Sequence, residues 1–385
     1  MRFVEALGRP GLQAVAEVKR RSPSAGDLRP GADPARLAAE FAAAGAAAVS
    51  VLVDERFAGT LDDLRAARAA TDLPLLGKGF FSTEEHLREV REAGGDAALL
   101  ILRDLDDATC ARLLAYAEGL GLDALVEAHD AAELQRAMAL DAPMIGVNAR
   151  DLTTFAIDRR AQLELVARAP RDRLVIAESG VHTRAQAAAA ELAGADAVLV
   201  GSALMQAPDP PAKLRELLSR PLVKVCGLTR QEDVDAAVEA GADLLGFIHA
   251  AASPRRAEAV LDVPETALSV SVFVAETHET PADLVQFYPD RGGGVRGREA
   301  LLLREGVQVG RVLDQPWQGH DPEHWREAAV AEGRVVLAGG LGPENVRAAI
   351  EAVHPWAVDA ASSLEAAPGI KDHERVRAYV AEARR

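Results

Sequence analysis

A helical segment rich in Ala and Glu, a glycine at its end and a short apolar run recur along this chain. That unit restricts the possible folds more than any other feature. It reads AAAGAAAVSVL from Ala42, REAGGDAALLIL from Arg91, ELAGADAVLVG from Glu191 and VEAGADLLGF from Val238. Each glycine (Gly45, Gly94, Gly194, Gly241) stands where a helix C-terminus favours a residue that tolerates positive φ. The apolar run behind it has the length of a strand buried on both faces, as in a parallel sheet.

Eight such runs fall in the first half, near residues 14–18, 47–52, 74–77, 97–102, 123–127, 144–148, 174–178 and 197–201. Helical segments separate nearly all of them, and eight βα units in about 200 residues meet the requirement of a closed (β/α)8 barrel of the TIM type. An open doubly wound sheet usually carries fewer strands and a nucleotide fingerprint, and neither GxGxxG nor GxxxxGK[ST] occurs. A second series lies near 222–226, 243–248, 268–274, 284–288, 300–303, 309–313, 334–338 and 356–360. Its middle three runs are poorly spaced, and YPDRGGGVRGRE leaves no room for a helix between the fourth and fifth. The predicted fold is therefore α/β, two tandem (β/α)8 barrels over 1–220 and 221–385, the second shortened in its middle.

Charge and composition narrow the function. A net charge of −16 opposes a general role on nucleic acid or anionic membranes. The start, MRFVEALGRP, offers no signal-peptide apolar region, and the most apolar stretch, 187–205, is broken by Glu191 and Asp196. Two cysteines, Cys110 and Cys226, make no disulfide framework, so a reducing cytoplasm is the expectation. His320 and His324 have metal-ligand spacing, but Pro322 between them disfavours the helix such ligands need, and no metal is expected.

Catalytic groups of these barrels sit at the C-terminal ends of strands, where side chains two apart share a face. Strand one ends with Glu17 and Lys19, three with Lys78 and Phe80, five with Glu127 and His129. Strand six ends with Asn148 and Arg150, seven with Glu178, Ser179 and Gly180, eight with Gly201 and Ser202. Only five lysines stand against 38 arginines, and two of the five, Lys19 and Lys78, fall at strand ends. A lysine can serve as a general acid once desolvation lowers its pKa, which an arginine cannot. A single strand-end lysine is as readily a solvated one as a functional one; the same pattern on six strands argues for a site. The small residues after strands seven and eight suit a phosphate held by backbone N–H groups.

These residues also carry a family resemblance. AEVKRRSPSAG, LLGKGFF, ALVEAHD, IGVNARDL, VIAESGV and VLVGSALM resemble indole-3-glycerol-phosphate synthase across residues 1–218. KVCGLTRQEDVDAAVEAGAD, SPRR, LAGGLGPENVRAAI, VDAASSLE and PGIKDH resemble phosphoribosylanthranilate isomerase across 222–385. The resemblance implies two consecutive steps of tryptophan biosynthesis on phosphorylated anthranilate–ribose substrates, with no cofactor. In the synthase half it makes Lys78 the general acid of ring closure and gives Glu127 the later dehydration. Glu17, Lys19 and Asn148 would hold hydroxyls and developing charge, and Arg150 the carboxylate. Phe80, Glu178 and Ser179 would join the substrate site, with Ser22, Gly180, Gly201 and Ser202 at the phosphate. In the isomerase half it makes Cys226 the base, Asp314 the acid and Arg255 the partner of the anthranilate carboxylate. Gly339, Gly340, Ser362 and Ser363 would hold the phosphate. Lys224, on the strand face of Cys226, would favour its thiolate if close enough.

The chain departs from both patterns. Lys-Asp-Phe reads Lys78-Gly79-Phe80, Leu-Thr-Glu reads Leu52-Val53-Asp54, and Ser-Ser-Gly reads Ala361-Ser362-Ser363. A lysine-containing loop after the isomerase acid is replaced by QPWQGHDPEHW. Another phosphosugar barrel such as an aldolase, a chain with one active barrel, and a scaffold for other tryptophan-pathway enzymes remain as alternatives.

Overall fold

The computed structural model describes residues 2–22, 25–151, 154–289, 299–315 and 324–385. They divide into two compact units, one of residues 1–182 and 187–218, the other of 183–186 and 219–385.

In the first unit eight strands close into a ring: β1 (Gln13–Val18), β2 (Ala48–Leu52), β3 (Leu75–Lys78), β4 (Ala97–Ile101), β5 (Asp123–Ala128), β6 (Met144–Asn148), β7 (Leu174–Glu178) and β8 (Ala197–Val200). Every pair is parallel, and β8 returns to β1. The two-residue period of each strand divides its side chains between two cores. Ala14, Ala16 and Val18 pack outward with helix residues such as Leu37, Phe41 and Leu64. Val15, Leu76, Leu99, Leu125, Met144 and Ile176 point inward, and Phe3 and Leu7 of the helix Arg2–Leu7 join them. Two residues further along the same inward faces come Glu17, Lys78, Ile101, Glu127 and Glu178, and Asn148, four residues beyond Met144, pairs with Glu178 at that level. A charged layer thus caps an apolar one.

The second unit is also a closed eight-stranded ring: β9 (Leu222–Cys226), β10 (Leu244–Ile248), β11 (Leu268–Val274), β12 (Leu284–Tyr288), β13 (Glu299–Arg304), β14 (Val307–Leu313), β15 (Val335–Ala338) and β16 (Ala357–Ala360). Its shortened middle has a definite form: β13 runs antiparallel to both β12 and β14. A two-residue turn at Glu305 and Gly306, both at positive φ, joins β13 to β14 as a hairpin. No helix stands in the described residues between β10 and β11 or between β11 and β12. The stretch expected to lack a helix, YPDRGGGVRGRE, lies mostly outside the described residues, as do His320 and Pro322.

The recurrent glycine–Asp unit now has a physical reading. Gly45, Gly94, Gly194 and Gly241 all take φ between 90° and 113° and end their helices. Where Asp follows two residues later, its carboxylate accepts from the first or second N–H of the preceding strand. Asp96 takes Leu75 N at 3.0 Å, Asp196 takes Val175 N at 2.8 Å and Asp243 takes Val223 N at 2.7 Å. Asp283 does the same for Ser269 N at 2.8 Å without a glycine before it. Each staple satisfies a strand-end donor that the ladder leaves open. Asp96→Ala would leave the buried Leu75 N–H unpaired and Arg68, 2.9 Å from Asp96, without its carboxylate partner. A loss of about 1–3 kcal/mol is expected, read as a lower urea midpoint at unchanged slope.

Candidate active site

At the C-terminal rim of the first ring a cavity encloses about 820 Å³ of empty space, its mouth included. Of the expected synthase residues, Glu17, Lys19, Lys78, Phe80, Glu127, Asn148, Arg150, Ser179, Gly180, Gly201 and Ser202 line it. Glu178 lies fully buried behind these walls, and Ser22 lies elsewhere, in a short hairpin where its hydroxyl accepts from Ala25 N at 3.2 Å. The sequence reading missed Phe57 and His182, which also line the cavity. Phe57 stacks on Phe80 with ring centroids 6.3 Å apart, and the Arg56 guanidinium lies 3.6 Å over the Phe80 ring. No strand pattern marks Phe57, because it sits in the 3-10 turn Glu55–Phe57 beyond the end of β2.

Lys78 is the centre of the site. Its ammonium lies 2.5 Å from Glu178 Oε2, 3.5 Å from Glu17 Oε2 and 3.9 Å from Glu127 Oε2. Lys19 lies 2.8 Å from the other Glu17 oxygen. Glycines make room for this crowding: a Cβ on Gly146 would overlap Glu178 Oε1, and one on Gly201 would overlap Glu17 Oε1. Ser179 and Gly180 follow with φ of 67° and 74°, a turn that lifts the chain away from the buried carboxylate.

The electrostatics correct one expectation. Burial disfavours the Lys78 ammonium, but Glu178, Glu17 and Glu127 outweigh it, so its pKa is held well above the ordinary lysine value rather than lowered. Lys78 is a charged donor in the resting site. Among the carboxylates, burial raises Glu17, and Lys19 and Lys78 more than reverse this. Burial likewise raises Glu127, yet His129 and Lys78 bring it down to about 2. Glu178 is pushed up to about 8 by burial against the pull of Lys78, with Glu127 adding to the rise. The three acids therefore differ: Glu17 and Glu127 are anions, and Glu178 is the group that takes a proton near neutrality.

In the second ring Cys226 ends β9, buried, and Gly246 leaves its sulfur space, since a Cβ there would stand 2.6 Å from Sγ. Lys224 Nζ donates to Gln286 Oε1 and Asp359 Oδ2, both at 2.8 Å. Gln286 Nε2 donates to Tyr288 Oη at 2.8 Å, and Tyr288 Oη donates to Asp314 Oδ2 at 2.7 Å. A buried chain of donors thus crosses the barrel from beside Cys226 to Asp314. The sequence reading missed Gln286 and Tyr288, although their spacing of two at the end of β12 is the signal used on other strands. Lys224 does act on Cys226, but burial is larger and the thiol is pushed up, so the resting cysteine is not a thiolate. Arg255 is engaged as well: its Nε and Nη2 donate to Glu365 at 2.8 Å each, and Lys371 Nζ lies 3.1 Å from Glu365. Gly339 and Gly340 both take positive φ, with a Cβ on Gly339 overlapping Gln315 N. The Ser363 hydroxyl donates to Leu341 O, and Ser362 opens a single 3-10 turn, Ser362–Leu364.

A family model described as indole-3-glycerol phosphate synthase matches residues 1–217. The chain belongs to the indole-3-glycerol phosphate synthase family. A second model, for N-(5'phosphoribosyl)anthranilate isomerase, matches residues 321–382, which makes the chain a fused synthase and isomerase. The synthase of a Nocardioides species is 49% identical over 208 residues, 54% of this chain and 80% of that one. That of Mycobacterium ulcerans is 46% identical over 215 residues, 56% of this chain and 79% of that one. Among solved structures, phosphoribosyl anthranilate isomerase from Thermotoga maritima is 25% identical, covering 43% of this chain and 99% of that one at a TM-score of 0.34. The chain is a bifunctional enzyme of tryptophan biosynthesis, lyase and isomerase. Among the described residues no group of three His, Cys, Asp or Glu side chains is placed to hold a metal ion, and no helix is long and apolar enough to cross a membrane.

Lys78→Met would leave Glu17, Glu127 and Glu178 buried together without their shared cation. Glu17 and Glu127 would lose one of the cations that hold them down, and Glu178 the pull that limits its rise, so all three folded pKa values climb and the variant loses more stability as pH rises through and above the carboxylate range. The variant should lose about 3 kcal/mol at pH 8 and clearly less at pH 5, measured by urea unfolding at both.

Proposed function

We propose that residues 1–220 close the indole ring and residues 221–385 perform the preceding isomerisation, with the strand-end groups as the working residues. The observation that carries the synthase assignment is Lys78 beside Glu127 on one cavity, a charged donor and an anion on neighbouring parts of one rim. Ring closure joins the anthranilate carbon that bears the carboxylate to the ketone carbon of the deoxyribulose chain. Lys78 protonates the ketone oxygen as the bond forms, and carbon dioxide then leaves. In the dehydration Glu127 takes the proton from the carbon next to nitrogen while the hydroxyl departs as water with a proton from a lysine. Glu17, Lys19 and Asn148 hold the hydroxyls and the charge that develops, and Arg150 steers the carboxylate. Phe80 lies against the aromatic ring. Glu178 holds Lys78 in place, and backbone N–H groups from Ser179 and Gly180 to Gly201 and Ser202 receive the phosphate.

In the isomerase, Asp314 gives a proton to the ribose ring oxygen as the ring opens, and Cys226 removes the proton from C2 of the sugar. Lys224 and Lys371 offset the cost of ionising a buried thiol at that moment. The anthranilate carboxylate takes the place of Glu365 on Arg255, and the turns at Gly339, Gly340, Ser362 and Ser363 receive the phosphate.

Supplied with freshly generated phosphoribosylanthranilate, the protein should consume it and form indole glycerol phosphate. Lys78→Ala should slow indole formation by a factor of about 10²–10⁴ while the isomerised intermediate accumulates. Cys226→Ala should slow the first step comparably, yet convert directly supplied intermediate at the normal rate. Normal indole formation by Lys78→Ala would refute the role given to that lysine.

A further inference from the structure

Glu127 has a second cation beside it that the reaction scheme leaves without a task. Glu127 and His129 stand two apart where β5 ends, so both side chains leave one face of the strand. His129 Nε2 lies 3.1 Å from Glu127 Oε1, an ion contact without the alignment of a linear hydrogen bond. On its other side Glu133, one turn into the helix Ala131–Ala139, holds the ring. Glu133 Oε2 accepts from His129 N at 2.8 Å and stands 3.0 Å from Nδ1. Glu133 is anchored in turn, its N–H donating to the helix-capping Asp130 at 2.8 Å. The side chains of Glu127, His129 and Glu133 are only 2%, 12% and 11% exposed, so water does not screen the row.

Both ring nitrogens of His129 face carboxylate oxygens. A neutral imidazole has one donor and one lone pair, and the lone pair would then face an anion; only the imidazolium suits both neighbours. With Oε1 turned to His129, the oxygen of Glu127 left for chemistry is Oε2. It is buried, has no hydrogen-bond partner and stands 3.9 Å from Lys78 Nζ.

We propose that His129, fixed by Glu133, is a positioning residue for the synthase reaction. It occupies one oxygen of Glu127, turns the other toward the reacting atoms and stabilises the Glu127 anion. This rests on the role given above to Glu127. The charged and polar groups facing Glu127 are Lys78 from β3, Asn148 from β6 and Glu178 from β7; those facing His129 are Glu127 and Glu133. Burial pulls His129 down, but its two carboxylates outweigh this and raise it to about 10. The competing account makes His129 a brace for the start of the following helix, which would govern stability but not ionisation.

The test is the pH dependence of synthase turnover on directly supplied substrate, for wild type, His129→Gln, Glu133→Gln and Glu127→Gln. Loss of the imidazolium raises the Glu127 pKa, so the acid limb of the His129→Gln profile should move up by roughly one to two pH units. One pH unit below the new limb, turnover is then about tenfold lower than on its plateau, while KM changes little. Glu133→Gln should shift the limb in the same direction by less, and it supplies the test if His129→Gln does not fold. A loss of turnover equal at every pH in both variants would show a brace and overturn the inference, with the reading of Glu127 intact. Wild-type turnover by Glu127→Gln would overturn that reading and this inference together.

Discussion

Closing eight strands into a ring forces alternate side chains of every strand onto one axis, and the site follows from that constraint. In the first ring an inward apolar residue is followed two positions later by a chemical one: Val15 by Glu17, Leu76 by Lys78, Leu125 by Glu127 and Ile176 by Glu178. The strands are parallel, so these second positions all reach the same rim. Groups separated by up to 161 residues in sequence, Glu17 and Glu178, come to share one ammonium.

Burying such a cluster is costly, and its members are tolerable only as a set. Lys78 offsets three carboxylates, Lys19 and His129 each support one of them, and Glu178 yields by holding a proton near neutrality. Backbone sites without side chains make the arrangement possible: Gly146 and Gly201 stand where any Cβ would displace a carboxylate. Removing the lysine therefore disturbs both catalysis and folding, through the same electrostatics.

The second ring meets the closure constraint by other means. With β13 reversed and hairpinned to β14, it reaches eight strands without a helix at every crossing. Its interior polar groups still converge, as the donor chain from Lys224 through Gln286 and Tyr288 to Asp314 shows. Two groups expected to await substrate are already engaged, Arg255 by Glu365 and the Ser363 hydroxyl by Leu341 O. The carboxylate of Glu365 stands where a substrate carboxylate is expected.

The strand positions were legible because buried parallel strands are continuous apolar runs behind glycine-ended helices, and the sequence carries both signals locally. The spacing of two that marked Glu17, Lys78, Glu127, Asn148 and Glu178 as neighbours on a rim is likewise a local signal, set by the pleat. The reversal of β13 was hidden, since an apolar run reads the same in either direction. The state of each ionisable group was hidden as well. Lys78 looked like an acid whose pKa burial would lower, and Cys226 like a thiol that Lys224 would ionise. The opposite holds for both, because a pKa depends on which distant charges the closed ring brings within a few ångströms. Sequence alone determined which residues reach the rim; tertiary structure decided their charges and partners, since those interactions act through space between strands.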